Sequence, residues 1–201
     1  MTAPRALAAL ALVFALAHLP FLAHSLEDID SVNFALGVRD FDVAKHQPHP
    51  PGYPVYIAIG KVTAAAAGAV MDGASASSVE ARALAVVSLL AGLLAIACLY
   101  GVFSSLTSRA PNSSSSWTTL NLEAFAATTV TASCPLFWYL AARPMSDLPG
   151  LAFALSAQAC LMLAWRRQAP GPDGERRLTP ALTAASGRMI VIGSQIGRAH
   201  V

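Results

Sequence analysis

Long apolar runs separated by short polar segments dominate the chain. A helical crossing of a bilayer needs roughly 20 mostly apolar residues. Residues 6–23 barely reach that length, with Arg5 ahead of them and His18 and Pro20 near their end. Residues 26–52 are polar. Residues 53–71 are apolar but carry Lys61 at their middle. A long apolar run covers 82–106, and a Ser-rich connection follows at 109–117. Two more runs cover 118–142, with Glu123 near its start, and 148–165. Residues 166–177 hold Arg166, Arg167, Arg176 and Arg177, and another apolar run opens at 180. The pattern predicts an all-α membrane protein, a polytopic helical bundle. Its crossings fall at about 6–23, 82–106, 118–142 and 148–165, with a truncated one from 180. The alternative for 6–23 is a cleavable signal peptide, because Ala23-His24-Ser25 loosely fits a small-x-small site; the later runs make a retained helix more natural.

Composition agrees. The chain is 55% hydrophobic and 12% charged, against about 25% charged in soluble domains. A net charge of +2, with no basic patch interleaved with aromatics, sets nucleic acid aside as a partner. Cys98, Cys134 and Cys160 lie in apolar runs, where cysteine acts as a small apolar residue. They form neither a zinc spacing nor a disulfide framework. The final residues, Ile196-Gly-Arg-Ala-His-Val201, match one reading frame of a common sequencing-library adapter. Residues 196–201 are therefore read as an artefact and 1–195 as the N-terminal fragment of a longer protein.

Charge sets an expected topology. Cytoplasmic loops collect Lys and Arg, so 166–177 is expected inside. Residues 148–165 then run outside to inside, 118–142 inside to outside, and 82–106 outside to inside. With a cytoplasmic N-terminus, 26–52 is an outer loop and 53–71 cannot cross. Lys61 agrees, since a lysine at the bilayer midplane costs roughly 2.5–3.5 kcal/mol on insertion scales. Residues 53–71 are expected to form an amphipathic or re-entrant interfacial segment at the outer face. The first polar loop, Arg143 and Asp147 then share one face.

That loop, Asp30 to Tyr56, is dense in carboxylates and also holds Arg39, Lys45, His46 and His49. Ionisable groups beside lipid are costly, so their concentration suggests a site. The loop ends in His49-Pro50-Pro51-Gly52-Tyr53-Pro54, whose prolines fix several φ angles and stiffen it.

An apolar span, an acidic motif in the first outer loop and then His-Pro-Pro resemble the GT-C glycosyltransferases. The branch they are most similar to is that of the protein O-mannosyltransferases and aminoarabinose transferases. Arg143-Pro-Met-Ser-Asp147-Leu-Pro149 resembles the Asp-x-Pro motif after the third crossing. Asp30 is followed by Ser31, where many of those relatives have Asp-Glu. The resemblance implies the N-terminal part of a GT-C-type transmembrane module. It also implies transfer of a sugar from a polyprenyl-phosphate donor to an acceptor hydroxyl, with inversion. The acceptor could be a protein, a lipid or a glycan. A carboxylate would take the hydroxyl's proton, with Asp30 the choice and Asp28 the reserve. Cations would stabilise the leaving phosphate: Arg39, Lys45 and Arg143, with His46, His49 and Asp147 also lining the substrate site.

Each residue has a structural alternative. Asp28 or Asp30 suits the N-cap of a following helix, and Asp147 the N-cap of 148–165. Arg143 suits an interfacial anchor, and Tyr53 and Tyr56 an aromatic belt. His46 and His49 with Asp30 would hold a divalent metal in poor geometry across the prolines, so no metal site is assigned, and a divalent metal is the one cofactor left open. A transporter fragment and a non-catalytic membrane scaffold are the alternative functions. Against a transporter, the runs show few interior charges or Gly/Pro breaks near the midplane. The fragment alone is expected to be inactive. Ala-rich spans suggest a bacterial source and an inner (plasma) membrane location, with the site facing outward.

Overall fold

The computed structural model describes residues 2–107 and 119–168, with side chains to 165. The Ser-rich connection, the apolar run from 180, the tail 196–201 and most of the basic segment 166–177 lie outside the described residues. Among the described residues the regular elements are helices: α1 (Ala3–His18), α2 (Ile29–Arg39), α3 (Pro54–Val70), α4 (Ala76–Thr107), α5 (Leu122–Ala132), α6 (Pro135–Ala141) and α7 (Asp147–Gln168). Short 3-10 turns cover Leu19–Phe21 and Val43–Lys45. The expected all-α membrane bundle is therefore what the chain forms.

Among the described residues three helices are long and apolar enough to cross a membrane: Ala3–Phe21, Ala76–Thr107 and Asp147–Trp165. The fourth expected crossing is bent by 66° between α5 and α6. Pro135 opens α6 after Cys134 turns to an extended conformation, as a residue before proline is pushed to do. Thr129, Thr131 and Ser133 hydroxyls donate to carbonyls four residues back, a back-bonding that favours helix bending. This break was not expected from hydropathy.

Side-chain contacts fix the helix directions. Ser88 Oγ donates to the Met145 carbonyl at 3.0 Å, and Cys98 Sγ lies 3.4 Å from Ser156 Oγ. The sequence numbers rise together, so α4 and α7 run parallel. Phe14 faces Gly92, while Ala3 joins Tyr100 and Ala124 in a small buried cluster. α1 is therefore antiparallel to α4. His18 Nε2 meets the Trp138 carbonyl at 3.1 Å, and Ala23 N–H donates to the Ala142 carbonyl at 2.9 Å, so α5–α6 rises beside α1. The result is an alternating bundle with Phe14, Leu89, Ile96, Phe137 and Leu148 in its core. Leu12, Val13, Leu16, Val130 and Leu136 stay exposed, as lipid-facing positions would.

α4 has 32 residues, about 48 Å at 1.5 Å each, which exceeds a hydrocarbon core of about 30 Å. Ser88 stands level with the start of α7. The preceding stretch of α4 carries α3 antiparallel to it, with Gly68 facing Val79 and Gly60 facing Leu84. α2 lies along α3, with Val38 against Gly60. Thus α2, α3 and the first third of α4 form a layer beyond one end of the bundle. α3 is one unbroken helix of 17 residues, and Lys61 on it is exposed.

Candidate active site

The first loop and the α6–α7 connection meet at the end of the bundle that carries this layer. Arg143 Nη1 donates to Glu27 Oε2 and lies 3.9 Å from Asp28 Oδ2. Its guanidinium also covers the Tyr139 ring, 4.6 Å from the centroid. The guanidinium, with help from the Ser25 hydroxyl, holds the Glu27 carboxyl below its usual range. Glu27 was not among the residues picked from sequence. It stands immediately before Asp28 and outside the motif, so no signal set it apart from its neighbours.

Asp28 precedes α2 and is tied to it by Ser31, whose hydroxyl accepts from Asp28 N–H (3.1 Å) and donates to the Asp28 carbonyl (2.6 Å). This is the reciprocal bonding of a helix start. The cap is thus Asp28, and Asp30 sits inside the first turn, where a carboxylate favours the helix dipole. Asp30 Oδ1 is 3.9 Å from His49 Nδ1.

His49 is positioned by its loop. Gly37 lets that loop lie on α2: a Cβ there would meet Pro48 Cδ at 2.7 Å. Gly52 at φ +91° turns the chain into α3, a conformation side chains resist. His49, Tyr53 and Tyr56 surround buried Phe34, with ring centroids 5.8, 5.2 and 4.9 Å from it. Tyr56 is therefore a core residue of this layer, not part of an aromatic belt. Its hydroxyl is buried without a full hydrogen bond. It lies beside Ser88 and within the field of Asp147, but Ser88 already donates to the Met145 carbonyl. Asp147 itself is exposed and opens α7.

Three sequence candidates sit elsewhere. Arg39 ends α2 and forms a two-pronged pair with Glu80, at 2.5 and 2.7 Å. Nine residues of helix separate it from Asp30, about 13.5 Å. Lys45 pairs with Asp42 at 3.0 Å and Asp40 at 3.7 Å. That pairing raises the Lys45 pKa and lowers that of Asp42. His46 is exposed on a left-handed turn at φ 58°. The structure therefore gathers Asp28, Asp30, His49 and Arg143, with Asp147 nearby, and gives Arg39 and Lys45 carboxylate partners of their own. Among the described residues no three His, Cys, Asp or Glu side chains come together as a metal would require.

Beside Arg143, a cleft of about 410 Å³ opens between the end of α1 and α6, walled by His18, Phe21, Trp138 and Tyr139. His18 is buried and spans the two helices, with Nδ1 2.7 Å from the Phe14 carbonyl and Nε2 near Trp138.

Residues 41–186 match the family model described as the protein O-mannosyl-transferase TMEM260 N-terminal domain. The chain belongs to this family. The match covers well over half of the sequence, including the His-Pro-Pro loop, the bent α5–α6 pair and the Arg143–Asp147 connection. The family's description is that of a glycosyltransferase, and the three apolar helices make the chain a membrane protein. No curated protein and no solved structure matches it.

Proposed function

We propose that this chain carries the proton-accepting half of a GT-C-type transferase site. Such an enzyme moves a sugar, with inversion, from a polyprenyl-phosphate donor to an acceptor hydroxyl. The site faces the outside of a bacterial plasma membrane. One observation carries this reading: Arg143 ties the acidic first loop to the α6–α7 connection beside an aromatic-walled cleft. A phosphate at that cleft meets a guanidinium with several donors, and the apolar walls suit the first units of a lipid chain. A carboxylate at Asp30, with Asp28 in reserve, is required for removal of the acceptor's proton as the new bond forms. Arg39 and Lys45 serve folding in this reading, not phosphate binding.

Transfer from a polyprenyl-phosphate mannose to a Ser/Thr peptide, measured in membranes holding the full-length protein, tests this. Asp30→Ala should lower transfer by about 100-fold or more while membrane insertion is unchanged. Full activity in Asp30→Ala with loss in Asp28→Ala would move the required carboxylate to Asp28. Activity retained in both would sink the reading.

A further inference from the structure

His49 sits in a nest of rings that restricts its rotation. Phe34, 2% exposed, lies 5.8 Å from it and Tyr53 lies 5.4 Å away. Within the nest Nδ1 is buried and has no hydrogen-bond partner. The acceptor facing it is Asp30 Oδ1, at 3.9 Å. A buried polar atom left unpaired is costly, which favours closing that gap. Catalytic contacts in unliganded sites are often long and tighten when substrate arrives. A neutral imidazole can satisfy a carboxylate in one way only, with its proton on Nδ1. The other tautomer sets the Nδ1 lone pair against the carboxylate oxygen. The His49 side chain is still 27% exposed, so its solvent-facing part is not the buried Nδ1.

We infer that Asp30 and His49 work as a pair, in which Asp30 accepts from His49 Nδ1–H and His49 Nε2 receives the acceptor's proton. This rests on the transferase reading and refines it: His49 is the general base and Asp30 a positioning residue. The step balances. The acceptor oxygen bonds to the sugar's anomeric carbon, and its O–H bond breaks with the proton going to Nε2. The bond from the anomeric carbon to the phosphate oxygen breaks, and its electron pair leaves with the lipid phosphate. The imidazolium that forms faces the Asp30 carboxylate, which stabilises it, as an oriented Asp–His pair does in acyl transfer. Asp30 is then required although it never touches the acceptor.

The tautomer can be read directly by NMR of ring-labelled histidine in the full-length protein in nanodiscs at alkaline pH. His49→Phe identifies the His49 signals. The His18 signals, held by two carbonyls, report that each variant is folded. The proton is expected on Nδ1 in the wild type and on Nε2 in Asp30→Ala. A wild-type proton on Nε2, or an Nδ1 proton that persists in Asp30→Ala, would overturn the pair. In the transfer assay, His49→Asn keeps an amide donor near the Nδ1 position but cannot take a proton. It should lower kcat by about 100-fold and change the donor KM less than about 3-fold. A raised KM at unchanged kcat would make His49 a phosphate ligand instead and overturn its role as base. An Nδ1 tautomer in a wild type that transfers no sugar would sink the transferase reading, and the base role with it, while the pair itself stood.

Discussion

Arg143 and Glu27 are 116 residues apart, and their ion pair fastens the loop after α1 to the connection before α7. Arg143 is 27% exposed and Glu27 52%, so the pair contributes little to global stability. Its effect is to hold the backbone that leads into Asp28 and Asp30. Arg143→Ala should lower transfer by about 10-fold or more with little change in thermal stability. Arg143→Lys keeps a point charge but loses the planar guanidinium that covers Tyr139 while Nη1 reaches Glu27, so it should fall between. Equal losses of activity and melting temperature would mean Arg143 is only a structural anchor.

The same pair gives a pH dependence. Glu27 is held below its ordinary value of 4.5, first by the hydrogen bond from Arg143. A depressed carboxylate stabilises the folded loop above its unfolded pKa, and that contribution is lost as pH falls through the folded value. The loop should therefore stay closed at neutral pH and loosen only below about 4.5. Hydrogen exchange at the Ala23 amide, which donates to Ala142, reports the opening once intrinsic exchange is allowed for. In Glu27→Gln the protection should be lower at neutral pH and lose its acid dependence.

Arg39 and Glu80 show the opposite balance. Glu80 is 6% exposed, so removing Arg39 leaves a buried carboxylate without its partner. Arg39 itself is half exposed, which places the cost between the about 1 kcal/mol of a surface pair and the about 3–5 kcal/mol of a buried one. Arg39→Met should lower melting temperature in detergent, and Arg39→Met with Glu80→Leu should recover most of it. A double variant as unstable as the single would show that Glu80 needs more than charge compensation.

Much of the bundle was legible because a membrane span is a local property, namely length and hydropathy. The break at Pro135 was missed for the same reason: apolar residues continue through it, although Cys134-Pro135 carried the signal. The site was partly legible. Asp28 and Asp30 were recognised as one motif and a helix start, but the cap lies two residues before the position that Asp30 would give it. The use of Arg39 was not legible, since its partner is 41 residues away on α4. Tyr56 looked like a belt residue because tyrosine beside a span usually is. Only the fold of α2 onto α3 makes it a neighbour of Phe34.

Two glycines allow that fold, with different tolerance. At Gly37 a Cβ would meet Pro48 Cδ at 2.7 Å and Pro48 N at 2.9 Å. Pro48 is rigid and fully buried. At Gly60 the close atoms, both at 2.9 Å, are methyl ends of Leu84 and Val38, which can shift. Gly37→Ala should displace the His-Pro-Pro loop at about 1–3 kcal/mol and lose most transfer. Gly60→Ala should cost less and keep activity. The reverse order would mean that the loop does not lie on α2 in the working protein.

Sidedness can be read by impermeant thiol labelling of intact cells, with Cys98, Cys134 and Cys160 replaced. Ile29 is 79% exposed, and Ser146 lies in the α6–α7 connection. Ala74, exposed in the turn between α3 and α4, reports whether α3 crosses. Ser31 is a poor probe because it is fully buried and caps α2. Cysteines at Ile29, Ser146 and Ala74 should all label from outside, because α3 runs beside the part of α4 that projects past the bundle. Labelling at Ile29 but at neither Ala74 nor Ser146 would mean that α3 crosses, since α4 and α5–α6 would then return Ser146 to the inside. The layer of α2 and α3 would then lie within the bilayer, and Lys61 would need a partner at its depth. Labelling at Ile29 without Ser146 would break the pairing of Glu27 with Arg143, and the site with it.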